Sequence, residues 1–508
     1  MTRLLPEALE ISISRARDLP TTDQIARLQH FLIILPASPG EDLWNQLPHG
    51  DVLAALAWRR PSDAHAALSS HFPGPGRAGV TIGFLKAGDP LPKQQAELRK
   101  LAAASLNESP ESVGIVCLGF DDEKKKMLQQ DAVVALMMKA FPMPRQKRDA
   151  GPAKRLRRLR VFAAAPGFDP VRLRAEVEGN NLARWLTALP PNQLDARGYR
   201  RAVKQLAERE GWQMKFLGES ALRKKGAGAF LAVCQGNDSE DAGIVRLRYR
   251  PPGAGKKPPL ALVGKGITFD TGGNNLKPFK SMLDMHEDMQ GSAVALGTLL
   301  ALTRSKFKHP VDCWLAITEN RIGATAYKSR DVVVASNGLS IEVIHTDAEG
   351  RMVLADTLAL ASNEDPACII DYATLTGACV GALTSRYSGV FSNRESLYPK
   401  LVETGYACGE RVWGFPMDAD FDDAIDSAIA DVAQCSVDND GDHILAARFL
   451  GRFVDPSIPW VHMDLSASHH KGGLGLVPTP VTGFGVRYTL RLLLDGQLLD
   501  QLPAGEAA

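Results

Sequence analysis

Short apolar runs alternate with longer helix-like stretches along most of this chain. Over residues 1–140 the runs "FLIILPA", "GVTIGFL" and "VGIVCLGF" stand between segments such as 125–141 that read as helices. From about residue 258 the runs "LALVG" (260–264), "VDCWLAI" (311–317), "ACIIDYA" (367–373) and "WVHMD" (460–464) read as strands, with helices predicted over 291–305 and 351–363. Strands that alternate with helices predict an α/β fold whose sheet is mostly parallel and covered on its faces.

The two patterned regions are separated by "PMPRQKRDAGPAKRLRRLR", residues 142–160, and by a helical pattern over 171–188 that stops at "LPPN". This predicts two domains: a smaller N-terminal α/β domain over 1–165 and a larger C-terminal domain over 191–508, built on a central, mostly parallel sheet flanked by helices. A linker helix is expected over 166–190. A chain of 508 residues is too long for one ordinary core, which agrees with that division.

Composition narrows the class of protein. Hydrophobic residues make up 45% and charged residues 23%, an ordinary globular balance. Basic and acidic residues number 59 and 58, so net charge selects no partner. The basic run 145–160 reads as a solvated connection rather than a nucleic-acid patch, because it is short and carries no interleaved aromatics. Charged residues interrupt every apolar run before membrane-spanning length, and "MTRLLPEALEISISR" lacks the apolar core of a signal peptide. The seven cysteines are odd in number and include no CxxC, as expected of buried thiols in a reducing compartment. A cytoplasmic enzyme without membrane or nucleic-acid partners is the expectation.

In parallel sheets, ligands bind beyond the carboxyl ends of strands, so the segments after the strands carry the chemistry. After "LALVG" comes "KGITFDTGGNNLKP", with Lys265, Asp270 and Lys277. Asp288 follows in "HEDMQGSA", and "HTDAEGRMVLADTL" adds Asp347, Glu349 and Arg351. Taken singly, each acid is a surface charge or a helix cap. Gathered together they would repel one another and resist ionisation unless cations joined them. Two divalent cations about 3.5–4 Å apart could share a carboxylate and a water. Asp347 and Glu349, two apart, would point to one side of an extended segment. Arg351 would start the helix, where peptide N–H groups favour an anion. The pattern therefore reads as a metal cradle beside an anion clip. "GKG" at 264–266 and "GAGKK" at 253–257 lack the spacing of a phosphate loop, and no GxSxG or triad is present.

"VGKGITFDTGGNNLKP", "HEDMQGSA", "HTDAEGRMVLADTLALA" and "DYATLTGACV", in this order, resemble the catalytic domain of the leucine (cytosol) aminopeptidase family. "GERVWGFP" and "TGFGVRYTL" are similar to it as well, and the resemblance covers about 180 to 495. It implies that 191–508 is a catalytic aminopeptidase domain and that the protein is a metal-dependent exopeptidase acting on peptides with a free N-terminus. The ligands of two divalent cations, Mn²⁺ or Zn²⁺, would be Lys265, Asp270, Asp288, Asp347 and Glu349. Lys277 and Arg351 would be the catalytic basic residues. Met285 would line the pocket for the first side chain, and Thr374, Leu375 and Gly377 would hold the substrate backbone. A lysine binds metal only as a neutral amine, so the cations must depress the pKa of Lys265. A water shared by two cations would become hydroxide near neutral pH, and Lys277 would stabilise the oxyanion formed by its attack. Bicarbonate on Arg351 is implied as the proton shuttle, since an arginine fork grips a planar oxyanion in two places. A homohexamer is implied as the assembly.

Departures from the family pattern fall elsewhere. His345 stands where Asn is common, Asn274 and Asn275 precede Lys277, and "AQCSVDNDGDH" (433–443) lacks a Gly-rich run. "LSASHHK" follows Asp464, so Ser466 and His469 would make a first-residue pocket more polar than one for leucine. Two other functions compete. A two-metal phosphoesterase or nuclease is disfavoured by the lysine in the ligand set. A binding protein on the same scaffold is disfavoured by the presence of all five ligand types.

Overall fold

The computed structural model describes residues 3–58, 67–73, 77–86, 88–148, 156–255, 258–438 and 440–502. The middle of the basic run, 149–155, lies outside the described residues. The chain forms two compact units, one of Glu7–Val177 with Lys471–Pro480, the other of Met1–Pro6, Glu178–His470 and Val481–Ala508.

The first unit is built on six strands: β1 (Ser12–Arg15), β2 (His30–Pro36), β3 (Leu68–His71), β4 (Gly79–Leu85), β5 (Ser112–Cys117) and β6 (Arg158–Val161). They lie in the order β1-β6-β5-β2-β4-β3, parallel except for the β3–β4 pair. β4 and β5 are buried along their whole length, which explains why they read as continuous apolar runs. The helices Leu91–Ser105 and Asp122–Ala140 supply Leu98, Leu101, Leu128 and Leu136 to one core of this unit, against Leu32, Ile34 and Ile115. His30, on β2, is buried with its Nε2 2.8 Å from the Thr81 hydroxyl.

The second unit carries an eight-stranded sheet. Its strands are β7 (Gln213–Gly218), β8 (Gly243–Tyr249), β9 (Leu260–Asp270), β10 (Val311–Asn320), β13 (Cys368–Ala373), β14 (Ser388–Ser392), β15 (Val412–Gly414) and β17 (Trp460–Asp464). A small separate sheet joins β11 (Val332–Val334), β12 (Ser340–Glu342) and β16 (Val432–Ala433). The large sheet runs β15-β14-β17-β13-β9-β10-β8-β7. Its centre, β17-β13-β9-β10, is all parallel. β8 joins β10 antiparallel and β14 joins β17 antiparallel, so the sheet is mixed toward its edges.

Helices Gln290–Arg304 and Glu349–Ser362 cover β9, and ten of the strand's eleven residues are buried. Gly291 lets the first of these helices also close on the neighbouring strand β13: a Cβ there would stand 2.2 Å from the Tyr372 carbonyl oxygen. Such close packing fixes the helix starts against the sheet. The core beside Glu349–Ser362 includes Val263, Ile267, Val353, Leu354, Phe449 and Trp460. Among the described residues, no helix is long and apolar enough to cross a membrane.

β9 continues to Asp270 rather than ending at Gly264, so Lys265 belongs to the strand itself. Asp347 lies in a turn, and Glu349 is the first residue of the helix. The extended geometry expected for 347–349 is therefore replaced by a turn that leads directly into helix.

Candidate active site

Four parallel strands end at one place. β9 delivers Asp270, β10 delivers Asn320, β13 leads into Thr374, and β17 ends at Asp464. The turn before helix Glu349–Ser362 supplies Asp347 and Glu349, and the short 3₁₀ turn Met285–Glu287 leads to Asp288. All of these but the fully buried Asn320 line a cavity of about 700 Å³. Lys265, Lys277, Met285, Arg351, Thr374, Leu375 and Gly377 line it too, so the residues expected as metal ligands, catalytic bases and substrate contacts face the same space.

Two lysines stitch the acids together. Lys265 Nζ lies 2.8 Å from each Asp288 oxygen, 3.0 Å from Glu349 Oε1 and 3.0 Å from the Thr374 carbonyl. Lys277 Nζ lies 2.9 Å from Asp270 and 2.6 Å from Asp347. Asp270 Oδ1 also accepts hydrogen bonds from the Gly272 N–H and the Asn320 amide, both at 2.8 Å. The Thr374 hydroxyl donates to Asp288 at 2.7 Å.

Burial decides the electrostatics. It pushes the Asp288 carboxyl well above the ordinary range, against the pull of Lys265. Asp270 is raised by burial and by Glu349, and Asp347 by burial and by Asp270. Burial opposes the charge on Lys265, but Asp288, Glu349 and Asp270 more than offset it and hold its pKa above the usual value. Lys277 is held up in the same way by Asp270, Glu349 and Asp347. Four carboxyl groups thus face two ammonium groups, an excess of acids over bases in a largely buried cluster.

The donor set suits divalent cations. Asp270, Asp347 and Glu349 each offer an oxygen, all within 4.8 Å of one another. Asp288 Oδ2 and Asp347 Oδ1 are buried, with ion-pair contacts but no hydrogen bond. Carboxylate oxygens with one amine nitrogen match the ligand preferences of Mn²⁺ and accept Zn²⁺.

Arg351 sits in the first turn of its helix, 2% exposed. Its NH2 is 2.8 Å from both oxygens of Asp442, and NH1 donates to the Gln434 carbonyl at 3.2 Å. A guanidinium presents two forks, and NH2 belongs to both. The anion clip expected at Arg351 is thus engaged by a side chain of the protein: Nε is buried without a hydrogen-bond partner, and a bicarbonate finds no complete fork while Asp442 holds NH2.

Several residues that shape the site escape the sequence reading. Asn320 holds Asp270 and stands 3.4 Å from Glu349. Asp464 accepts from the Leu375 N–H at 3.2 Å and from the Thr376 hydroxyl at 2.6 Å, pinning the loop after β13. Gln434 accepts from the N–H groups of Ile344 and His345 and donates to the Ala348 carbonyl. Asp442 is signalled only by its place in the unusual 433–443 segment. His345 is exposed and accepts from the Asp347 N–H. Ser466 lines the cavity and donates to the Tyr387 carbonyl at 2.7 Å, whereas His469 turns to Glu287, 3.0 Å away.

A parallel-centred sheet whose carboxyl edge collects acids and lysines around one cavity defines an α/β protein with an acidic site suited to metal. In fold it is similar to a mutant of tomato leucine aminopeptidase, with a TM-score of 0.84 over 97% of this chain and 98% of that one, at 26% identity. Residues 181–490 match the model of the cytosol aminopeptidase family, catalytic domain. A probable cytosol aminopeptidase of Polaromonas sp. is 35% identical over 462 residues, 89% of this chain and 88% of the relative. One of Wolbachia pipientis wMel is 40% identical over 326 residues, 63% of this chain. That match spans 64% of the Wolbachia relative's length, and a match to a Synechococcus relative spans 63%. The chain belongs to the cytosol aminopeptidase family.

Proposed function

We propose that this protein is a metal-dependent aminopeptidase that removes the N-terminal residue from peptides. Lys265, Asp270, Asp288, Asp347 and Glu349 would hold two divalent cations, Mn²⁺ or Zn²⁺. When bound, the cations would supply Lewis acidity toward water and the scissile carbonyl and an affinity for a free α-amine, which would confine cleavage to the chain end.

The protein's own groups do the rest. Lys277, clamped between Asp270 and Asp347, directs an ammonium N–H at the carbonyl oxygen as negative charge develops there. Thr374, Leu375 and Gly377 form a wall for the substrate backbone, made rigid by Asp464. Met285 stands at the pocket for the first side chain, and Ser466 adds a hydroxyl to the same cavity. Bicarbonate has no part in this reading, because Arg351 is engaged by Asp442. All seven cysteines are buried and form no disulfide, which supports a reducing, cytoplasmic location. A homohexamer is the proposed assembly, measurable by light scattering.

The observation that carries the proposal is the convergence of four acids and two lysines at the ends of the parallel strands, in a family of aminopeptidases. A panel of aminoacyl reporters, assayed before and after chelation and with Glu349→Ala, tests it. Turnover that requires metal, Glu349 and a free amine is expected. Equal turnover of N-acetylated and free peptides would sink it.

A further inference from the structure

Buried Arg351 and part-buried Asp442 form a pair on the wall of the cavity that holds the acids. We propose that Asp442 is the proton carrier of this centre, a carboxylate built into the chain where an anion captured from solution was expected. The inference rests on the aminopeptidase reading above.

Three observations support it. Both Asp442 oxygens lie 2.8 Å from Arg351 NH2, so the carboxylate is held in one orientation. Its side chain is 14% exposed, so it is not a freely solvated charge. It is the first residue of helix Asp442–Gly451, and Gln434 fixes the neighbouring segment to both Arg351 and Ala348. A carboxylate and a bicarbonate are alike in what matters here: each is planar, anionic and able to take one proton on oxygen. The tethered group needs no capture, and it holds the NH2 that both forks of Arg351 share, leaving Nε as a lone donor.

The step balances. As water oxygen bonds to the scissile carbon, its proton passes to an Asp442 oxygen. As the C–N bond breaks, the Asp442 carboxylic acid returns that proton to the departing nitrogen. The carboxylate is restored, and one peptide plus one water has become an amino acid and a shortened peptide. Arg351 is the positioning residue that aims Asp442.

The test uses the full-length metal-loaded protein in CO₂-free buffer, with and without added bicarbonate. Wild-type turnover is expected to be indifferent to bicarbonate, and calorimetry is expected to show no bicarbonate binding. Asp442→Ala should lower kcat by about 10²–10⁴-fold with little change in KM, and bicarbonate should bind to it and restore part of the rate. Asp442→Asn, which keeps the shape and the contact with Arg351 but cannot carry a proton, should be equally slow. Bicarbonate that binds wild type and accelerates it would overturn the inference while leaving the aminopeptidase reading intact. So would an Asp442→Asn variant with full kcat. Wild type without any aminopeptidase activity would overturn both. The calorimetry on wild type decides the occupancy of Arg351 even if a variant fails to fold.

Discussion

Gly350 leaves room for the Lys265 amine: a Cβ at Gly350 would stand 2.6 Å from Lys265 Nζ and 2.5 Å from its Cε. The residue beside Glu349 is therefore fixed by a side chain that reaches it from another element. Gly350→Ala should push Lys265 off the cluster and weaken metal binding about 10–100-fold, with the helix intact. Metal content after dialysis at graded concentrations, beside an unchanged circular dichroism spectrum, checks this.

The excess of acids over lysines in the cavity gives a second expectation. Cations should stabilise the protein, by about 2.7 kcal/mol at a hundredfold excess over Kd. Asp288→Asn should behave in opposite ways with and without them. Metal-free, it removes a buried acid whose charge is opposed by burial and leaves Lys265 with Glu349, so Tm should hold or rise. With metal, the gain in Tm should shrink. A metal-free variant that melts far below wild type would contradict this balance.

Asp464 offers a separate handle on substrate binding. Asp464→Ala strips acceptors from the Leu375 and Thr376 N–H groups and from the Thr376 hydroxyl, at a cost of about 1–3 kcal/mol. The loosened wall should raise KM more than it lowers kcat. Steady-state kinetics on a dipeptide series separates the two.

The N-terminal unit should be sensitive to acid through His30. Burial, opposed by Glu108 and helped by His71, lowers its pKa from 6.5 to about 4. Folded His30 stays neutral while the unfolded chain takes up a proton below pH 6.5. Stability is thus full above 6.5 and falls by roughly 3 kcal/mol as pH drops to 4, then levels off. Hydrogen exchange of β2 and β4 at matched pH should show this loss in wild type, and His30→Gln should flatten it.

The long elements were legible because their burial is one-sided or complete. Helices expected over 291–305 and 351–363 lie at Gln290–Arg304 and Glu349–Ser362, and the four central strands lie where apolar runs stand. The reading of β9 stopped short for a physical reason. Lys265, Thr268 and Asp270 are polar residues inside a covered strand, a local violation that occurs where a sheet edge becomes a site. The turn at Asp347 was hidden because period two fits a strand and a helix entry equally over three residues. Asp442 and Asn320 were invisible: a single Asp at a helix start reads as a cap, and the partner of each is set by folding alone. Arg351 and Asp442 are 91 positions apart, Asp270 and Asn320 are 50 apart.

The working groups are spread along the chain, from Lys265 within β9 to Asp464 closing β17. A nascent chain that has emerged only as far as β10 carries half the acids and no helix to seat Glu349. On the proposed function, hydrolytic power therefore cannot arise before the sheet closes, and a half-made copy would be harmless to the peptides around it.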